Sequence, residues 1–124
     1  MLSVKKLFFL STCSTCQRII KQLALPSDLE LIDIKQTNIA LESLEFIRDK
    51  AGSYELLFSK KAMKYKAQGL DKKTLSESDY KEKILEEYTF LKRPIICYND
   101  FLSIGNSSEE VGKAILYFQE LSAF

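Results

Sequence analysis

Cys13 and Cys16, in the run Cys13-Ser14-Thr15-Cys16, are the residues whose type and spacing point most directly to chemistry. They follow a short apolar run, Leu7-Phe8-Phe9-Leu10, and open an amphipathic stretch. A thiol just ahead of a helix meets unpaired N–H groups and the positive end of the helix dipole, and both favour its thiolate. The chemistry expected is thiol redox chemistry. Cys16, Ile19, Ile20 and Leu23 recur at i, i+3, i+4 and i+7 on one apolar face, so Cys16 turns toward the core while Cys13 faces the loop. Cys13 is thus the attacking thiol and Cys16 the candidate resolving thiol. Two plainer readings compete, half of a zinc site and a pair of small buried residues. Zinc takes about four ligands, usually Cys and His. The chain has three Cys and no His, so no metal ligand is assigned. Free Cys is commonly a core residue, so the second alternative stays open.

Lys92-Arg93-Pro94 stands immediately before a predicted strand. Proline at a strand entrance costs no ladder hydrogen bond, and cis X-Pro bonds are the minority form, so a simple strand boundary is the plain alternative. Fold order places this loop near the Cys13 helix, where Arg93 would be a fixed charge able to hold a thiolate or an oxyanion. Lys60, Lys61, Lys64, Lys66, Lys72 and Lys73 face the single acid Asp71 between Ser59 and Lys73. Such a run attracts phosphate, arsenate or an acidic surface, although runs of lysine are most often solvated faces. Tyr65 alone does not make it a nucleic-acid site. Cys97 falls in a strand expected to be buried.

The elements that position these residues follow from periodicity. Val4 to Leu10 reads as a buried strand, Ser14 to about Leu25-Pro26 as a helix ended by proline, and Leu29 to Ile34 as a second strand parallel to the first. A helical region spans about 38–88. In it, Leu41, Leu44, Ile47 and Ala51 form one face that ends at Gly52, and Leu56, Leu57 and Phe58 suggest a short buried turn. Ser76 and Asp79 fit a capping box, Leu75 and Tyr80 a hydrophobic staple, and Tyr80, Ile84, Leu85 and Tyr88 the inward face of the helix they begin. Ile95–Tyr98 and Phe101–Ile104, joined by Asn99-Asp100, read as a hairpin. Ser107 and Glu110 give a second capping box, leading a helix with Val111, Ala114, Ile115 and Phe118 inward. The order βαβ, helical insert, ββα is the thioredoxin-like α/β order: a mixed four-stranded sheet with a helical insert.

The 124 residues suit one domain, 46% hydrophobic and 28% charged, with no repeat or low-complexity tract. Eighteen basic and seventeen acidic residues leave a net charge of +1, which predicts no nucleic-acid or membrane partner. The four apolar residues after Lys5-Lys6 are too few for a signal-peptide core, and no run approaches a membrane span. The expected location is cytoplasmic, where a CxxC is more often catalytic or redox-sensing than a staple.

Cys13-Ser14-Thr15-Cys16, Asp33-Ile34-Lys35, Tyr65 through Gly69-Leu70, Leu91-Lys92-Arg93-Pro94-Ile95-Ile96 and Gly105 occur in this order over nearly the whole chain, which thereby resembles the arsenate reductase and Spx family. The resemblance implies a thioredoxin-like sheet with a helical insert, attack on arsenate by Cys13, and no bound cofactor. It implies glutathione with glutaredoxin, or thioredoxin, as electron donor. Arg93 would hold the oxyanion and Pro94 would be cis; Ser14, Thr15, Lys60, Pro94 and Asn106 are the candidate substrate contacts. Ser59 and Asn106 correspond to two further arginines of the family. Lys60 or Lys61 is the nearest replacement for the first, though lysine is not a planar bidentate donor. Spx-type regulators share the CxxC as a redox switch and bind the RNA polymerase α subunit, with Gly52 lying near a glycine of that contact. Cys16 favours that branch or a self-resolving reductase, whereas the end of the chain at Phe124, without a basic extension, favours an enzyme. A glutaredoxin-like disulfide reductase is a third reading.

Overall fold

The computed structural model describes residues 4–123; Phe124, on which the reading of the chain's end rests, lies outside them. In chain order the elements are β1 (Lys5–Phe9), α1 (Ser14–Gln22), β2 (Glu30–Asp33), α2 (Leu41–Ala51), α3 (Met63–Ala67), α4 (Glu77–Glu86), β3 (Ile95–Tyr98), β4 (Phe101–Ile104) and α5 (Ser108–Ser122). Short 3-10 turns occur at Glu55–Leu57, Leu70–Lys72 and Tyr88–Phe90. The chain forms two compact units, one of residues 1–37 with 93–124 and the other of residues 38–92.

The first unit holds a four-stranded sheet in the order β2-β1-β3-β4. β1 pairs parallel with β2, with Phe8 opposite Ile32, and antiparallel with β3, with Leu7 opposite Ile96. β3 continues antiparallel into β4 through Asn99-Asp100, where Asn99 takes a positive φ of 52°. Alternation puts Leu7, Ile96 and Tyr98 on one face, packed with Ile19 and Leu23 of the first helix region and Ala114 and Phe118 of α5. Val111 and Ile115 are only partly buried against this cluster. Phe8, Ile95 and Cys97 alternate to the other face and are also buried. At the Lys5 end of the sheet, Lys5 Nζ lies 2.8 Å from Asp28 Oδ2 and the Tyr98 hydroxyl donates to Asp28 Oδ1 at 2.8 Å.

Two expectations for this unit need correction. α1 stops at Gln22 rather than near Leu25, because Leu23 turns extended (φ −92°, ψ 137°). From there, alternation sends both Leu23 and Leu25 to the core, and Pro26 disfavours helix in the residue before it. The box at α5 is half made: Ser107 accepts the Glu110 N–H at 3.2 Å, but the Glu110 carboxylate pairs with Lys113 at 3.0 Å.

The second unit is organised around Phe58, which stacks on Phe90 (centroids 5.0 Å apart, planes 19° apart) and meets Tyr80 and Tyr65 edge-on or tilted. Ser59 N–H donates to Phe90 O and Lys92 N–H to Leu57 O, bridging the two ends of the segment. Leu44 and Ile47 of α2 are buried, but Leu41 at its first turn is 41% exposed, so the apolar face is shorter than expected. Gly52 ends α2 in the left-handed region, φ 110°, as a C-terminal glycine does. Leu57 and Phe58 are buried while Leu56 points out. In α4, Tyr80 and Ile84 are buried and Leu85 is only partly so. Its capping box is complete: Ser76 Oγ accepts the Asp79 N–H at 3.2 Å and Asp79 accepts the Ser76 N–H at 2.8 Å.

Candidate active site

Cys13 takes the N-cap position of α1, with extended backbone (φ −96°, ψ 109°), because four residues, Leu10 to Cys13, must turn the chain from the end of β1 into the helix. Its N–H donates to Leu10 O at 3.0 Å, and its carbonyl accepts the Gln17 N–H at 3.2 Å, the first bonds of that turn. The Cys13 sulfur closes no capping hydrogen bond of strict geometry, and no acid stands in the first turn. Three residues on, Cys16 is fully buried, as the spacing of the apolar face requires. Both thiols are free.

Their environments push the two thiols apart. Partial burial acts to raise the Cys13 pKa, but the Cys16 N–H and thiol, the Thr15 N–H and the Arg93 charge together outweigh it and hold Cys13 below its ordinary value. Burial pushes Cys16 up to about 11, reinforced by the neighbouring Cys13 and opposed by the Leu10 backbone and Arg93. Of the two, the accessible sulfur is the one whose thiolate is favoured.

Arg93 and Pro94 open β3, joined by a cis peptide bond. Arg93 is partly buried and its charge acts on both sulfurs, so the loop lies where fold order placed it. Pro94 is buried, and its carbonyl accepts the Gly105 N–H at 2.8 Å, tying the start of β3 to the end of β4. Asn106, the next residue, is exposed. It lines a cleft of about 440 Å³ with Arg18, Ile19, Gln22, Ser108 and Val111. Ser14 is exposed and Thr15 partly buried. Ser59 and Lys60 belong to the other unit, where Lys60 Nζ pairs with Glu55 Oε2 at 3.1 Å. Lys64 pairs likewise with Glu87 at 2.8 Å, so part of the lysine run is neutralised by acids of its own unit.

Sequence reasoning missed the residues that hold the Cys13 loop. Ser11 N–H donates to Asp33 Oδ1 at 3.1 Å, and the same oxygen accepts the Lys35 N–H at 3.2 Å. Gln17 Nε2 donates to the Ser11 carbonyl. A signal for Asp33 existed. It is the last residue of β2, and a polar residue at that end of a strand parallel to β1 points to the pole where Cys13 sits. Among the described residues no group of three or more His, Cys, Asp or Glu could hold a metal ion, and no helix is long and apolar enough to cross a membrane.

The ArsC family model matches residues 8–114. Among solved structures, a Staphylococcus aureus protein, SACOL0876, is 25% identical, with 90% of this chain and 98% of that one covered at a TM-score of 0.72. An arsenate reductase from Vibrio cholerae is 18% identical, with 90% and 99% covered at a TM-score of 0.72. A Streptococcus mutans structure described as a "possible arsenate reductase" is 24% identical, with 86% and 96% covered at a TM-score of 0.67. No curated protein matches the chain in sequence.

Proposed function

Because the chain belongs to the ArsC family, we propose that it is a thiol-dependent reductase in which Cys13 attacks an oxidised substrate and Cys16 resolves the adduct. The observation that carries this reading is the opposite displacement of two thiols three residues apart: Cys13 is favoured as thiolate, and buried Cys16 is held as thiol up to about 11. With a disulfide R–S–S–R′, the Cys13 thiolate forms Cys13–S–S–R and expels R′S⁻. Cys16, giving up its proton, then attacks the Cys13 sulfur, forms the Cys13–Cys16 disulfide and expels RS⁻. With arsenate, Cys13 displaces one oxygen as water, and closure of the same disulfide supplies the two electrons that take As(V) to As(III). Glutathione with glutaredoxin, or thioredoxin, would return the disulfide to the dithiol.

Arg93 supplies charge for either substrate, with Ser14, Thr15, Pro94 and Asn106 on the substrate side. Asn106 and Ser59 replace arginines that the resemblance led us to expect, and a charged hydrogen bond is worth about 1.5–3 kcal/mol. A disulfide or glutathionylated substrate is therefore favoured over arsenate. The test follows arsenite formation and disulfide reduction side by side, with glutathione and glutaredoxin or with thioredoxin. Disulfide turnover with slow arsenate turnover is expected, and Cys16→Ser should accumulate a mixed disulfide on Cys13. Efficient turnover of micromolar arsenate would overturn the substrate preference. Cys97 in the dominant disulfide would overturn the assignment of roles.

A second reading, a redox-switched regulator binding the RNA polymerase α subunit, is favoured by one observation. Gly52 is exposed at the end of α2, with no atom beyond its own chain neighbours within 4 Å of where its Cβ would stand, so its backbone is open to a partner. Pulldown with the α subunit, comparing Gly52→Arg with the unaltered chain, tests it. Absence of redox-dependent capture removes that reading.

A further inference from the structure

Ser11, two residues ahead of Cys13, is gripped at both its N–H and its carbonyl. Its N–H donates to Asp33 Oδ1 at 3.1 Å, and its carbonyl accepts from Gln17 Nε2. The two gripping residues are themselves anchored. Asp33 Oδ1 also holds the Lys35 N–H at 3.2 Å, and the Gln17 N–H closes on Cys13 O at 3.2 Å. The loop between Leu10 and Cys13 is thereby tied to the end of β2 on one side and to the first turn of α1 on the other.

We propose that Asp33 and Gln17 are positioning residues that clamp Ser11 and so keep the Cys13 sulfur over the open N-terminus of α1. The physical case is geometric. Stabilisation of a thiolate by backbone N–H groups falls off within the first turn of a helix, so a loop free to drift would lose the donors at Thr15 and Cys16. Neither Asp33 nor Gln17 touches the reacting sulfur by any contact described above, and each acts through Ser11. Asp33 is faced by Ser11 and Lys35, and Cys13 by Cys16 and Arg93, so these are the charged and titrating groups that bear on the test.

Charge and position make opposite demands here, and this separates them. A carboxylate acting on Cys13 through its field would disfavour the thiolate, so its removal would speed alkylation. A carboxylate acting as a clamp would, when removed, slow it. The experiment measures the rate of Cys13 alkylation by iodoacetamide at pH 7, by peptide mass, together with the thiolate absorbance midpoint and the melting temperature. Loss of a hydrogen bond of ordinary strength predicts alkylation about fivefold slower in Asp33→Ala and about twofold to threefold slower in Gln17→Ala, each with the midpoint moved upward. Asp33→Asn keeps an oxygen acceptor without the charge and should restore the rate to within about twofold. If Asp33→Ala proves unfolded, Gln17→Ala and Asp33→Asn carry the test.

Unchanged or faster alkylation in Asp33→Ala and Gln17→Ala, with only the melting temperature lowered, would overturn the clamp. The inference rests on Cys13 being the nucleophile, and the two fail differently. Unaltered protein alkylated no faster at Cys13 than a free thiol removes both, whereas a fast Cys13 indifferent to the two substitutions removes the clamp alone.

Discussion

At the start of α4, Ser76 and Asp79 exchange two hydrogen bonds, and the acids Glu77 and Asp79 stand in the first turn. At the start of α1 the same N-cap place is taken by Cys13, which makes no capping hydrogen bond, and the first turn has no acid. Both helices begin with extended backbone at the cap, so the difference lies in side-chain chemistry. A sealed start satisfies the free N–H groups permanently, through oxygen acceptors. An open start leaves them to a group that becomes a strong acceptor only when it loses a proton. The lesson is that α1 gives up local helix stability at the place where it favours a thiolate, and α4 shows what the same fold does where no chemistry is expected.

The comparison breaks most severely if the open start is sealed. Cys13→Ser installs a good N-cap and removes the nucleophile, so reductase turnover should fall on the order of 10³-fold or more. The same variant should gain about 1 kcal/mol of stability, read as a melting temperature a few degrees higher. Lost activity with unchanged stability would mean the N–H groups of α1 are already satisfied. Next in size is the reverse operation at α4. Ser76→Ala should lose about 1 kcal/mol, or roughly 3–6 °C of melting temperature, while leaving Cys13 alkylation untouched.

A smaller effect sharpens the electrostatic half of the contrast. Arg93→Gln should move the Cys13 titration upward and slow its alkylation at pH 7 about twofold to fivefold, the scale of a partly exposed charge pair. In the unaltered chain the second thiolate step should lie near the value of about 11 for Cys16, and in Arg93→Gln it should also move upward, because Arg93 lowers Cys16 too. One joint step for both thiols would contradict their separation.

Smallest is the acid response of the sealed start. Asp79 is held below its ordinary value first by the Ser76 N–H and then by the Ser76 hydroxyl. A carboxyl lowered in the folded state stabilises above its unfolded value of about 3.9 and loses that contribution as pH falls through the folded one. The melting-temperature gap between the unaltered chain and Asp79→Ala should therefore persist at pH 6 and narrow below about pH 4. A gap that widens in acid would reverse the sign of this argument.

The difference in place between Cys13 at the cap and Cys16 in the core was legible because helical spacing alone separates a cap residue from one on the buried face. Both helix-start serines were legible for the same reason: capping depends on residues within four positions of each other. The end of α1 was not, since Leu23 leaves the helix to satisfy a core that its local sequence does not describe. Leu41 and the return arm of Glu110 failed similarly: Leu41 has the right period for burial but remains exposed, and Glu110 finds Lys113 instead of its cap. Asp33 and Gln17 were missed for a deeper reason. Asp33 lies 22 residues from Ser11 and meets it through the parallel pairing of β1 and β2, a fact of topology, whereas Gln17, 6 residues on, reaches back from the first turn of α1 through a loop shape that no local pattern describes.

The cluster of Lys5, Asp28 and Tyr98 lies at the opposite end of β1 from the loop that carries Cys13. That end is fastened by an ion pair at the surface, with Asp28 about half exposed, whereas the Cys13 end is fastened by hydrogen bonds from the Asp33 and Gln17 side chains to neutral backbone groups of Ser11. Mobile ions screen the attraction of two charges and act far less on a hydrogen bond to a neutral group. Raised ionic strength should therefore speed amide exchange near Lys5 and Tyr98 while leaving the Cys13 loop slow. With Cys13 and Cys16 acting as proposed, one small sheet would answer to two different solution variables, dissolved salt at one edge of its length and redox state at the other.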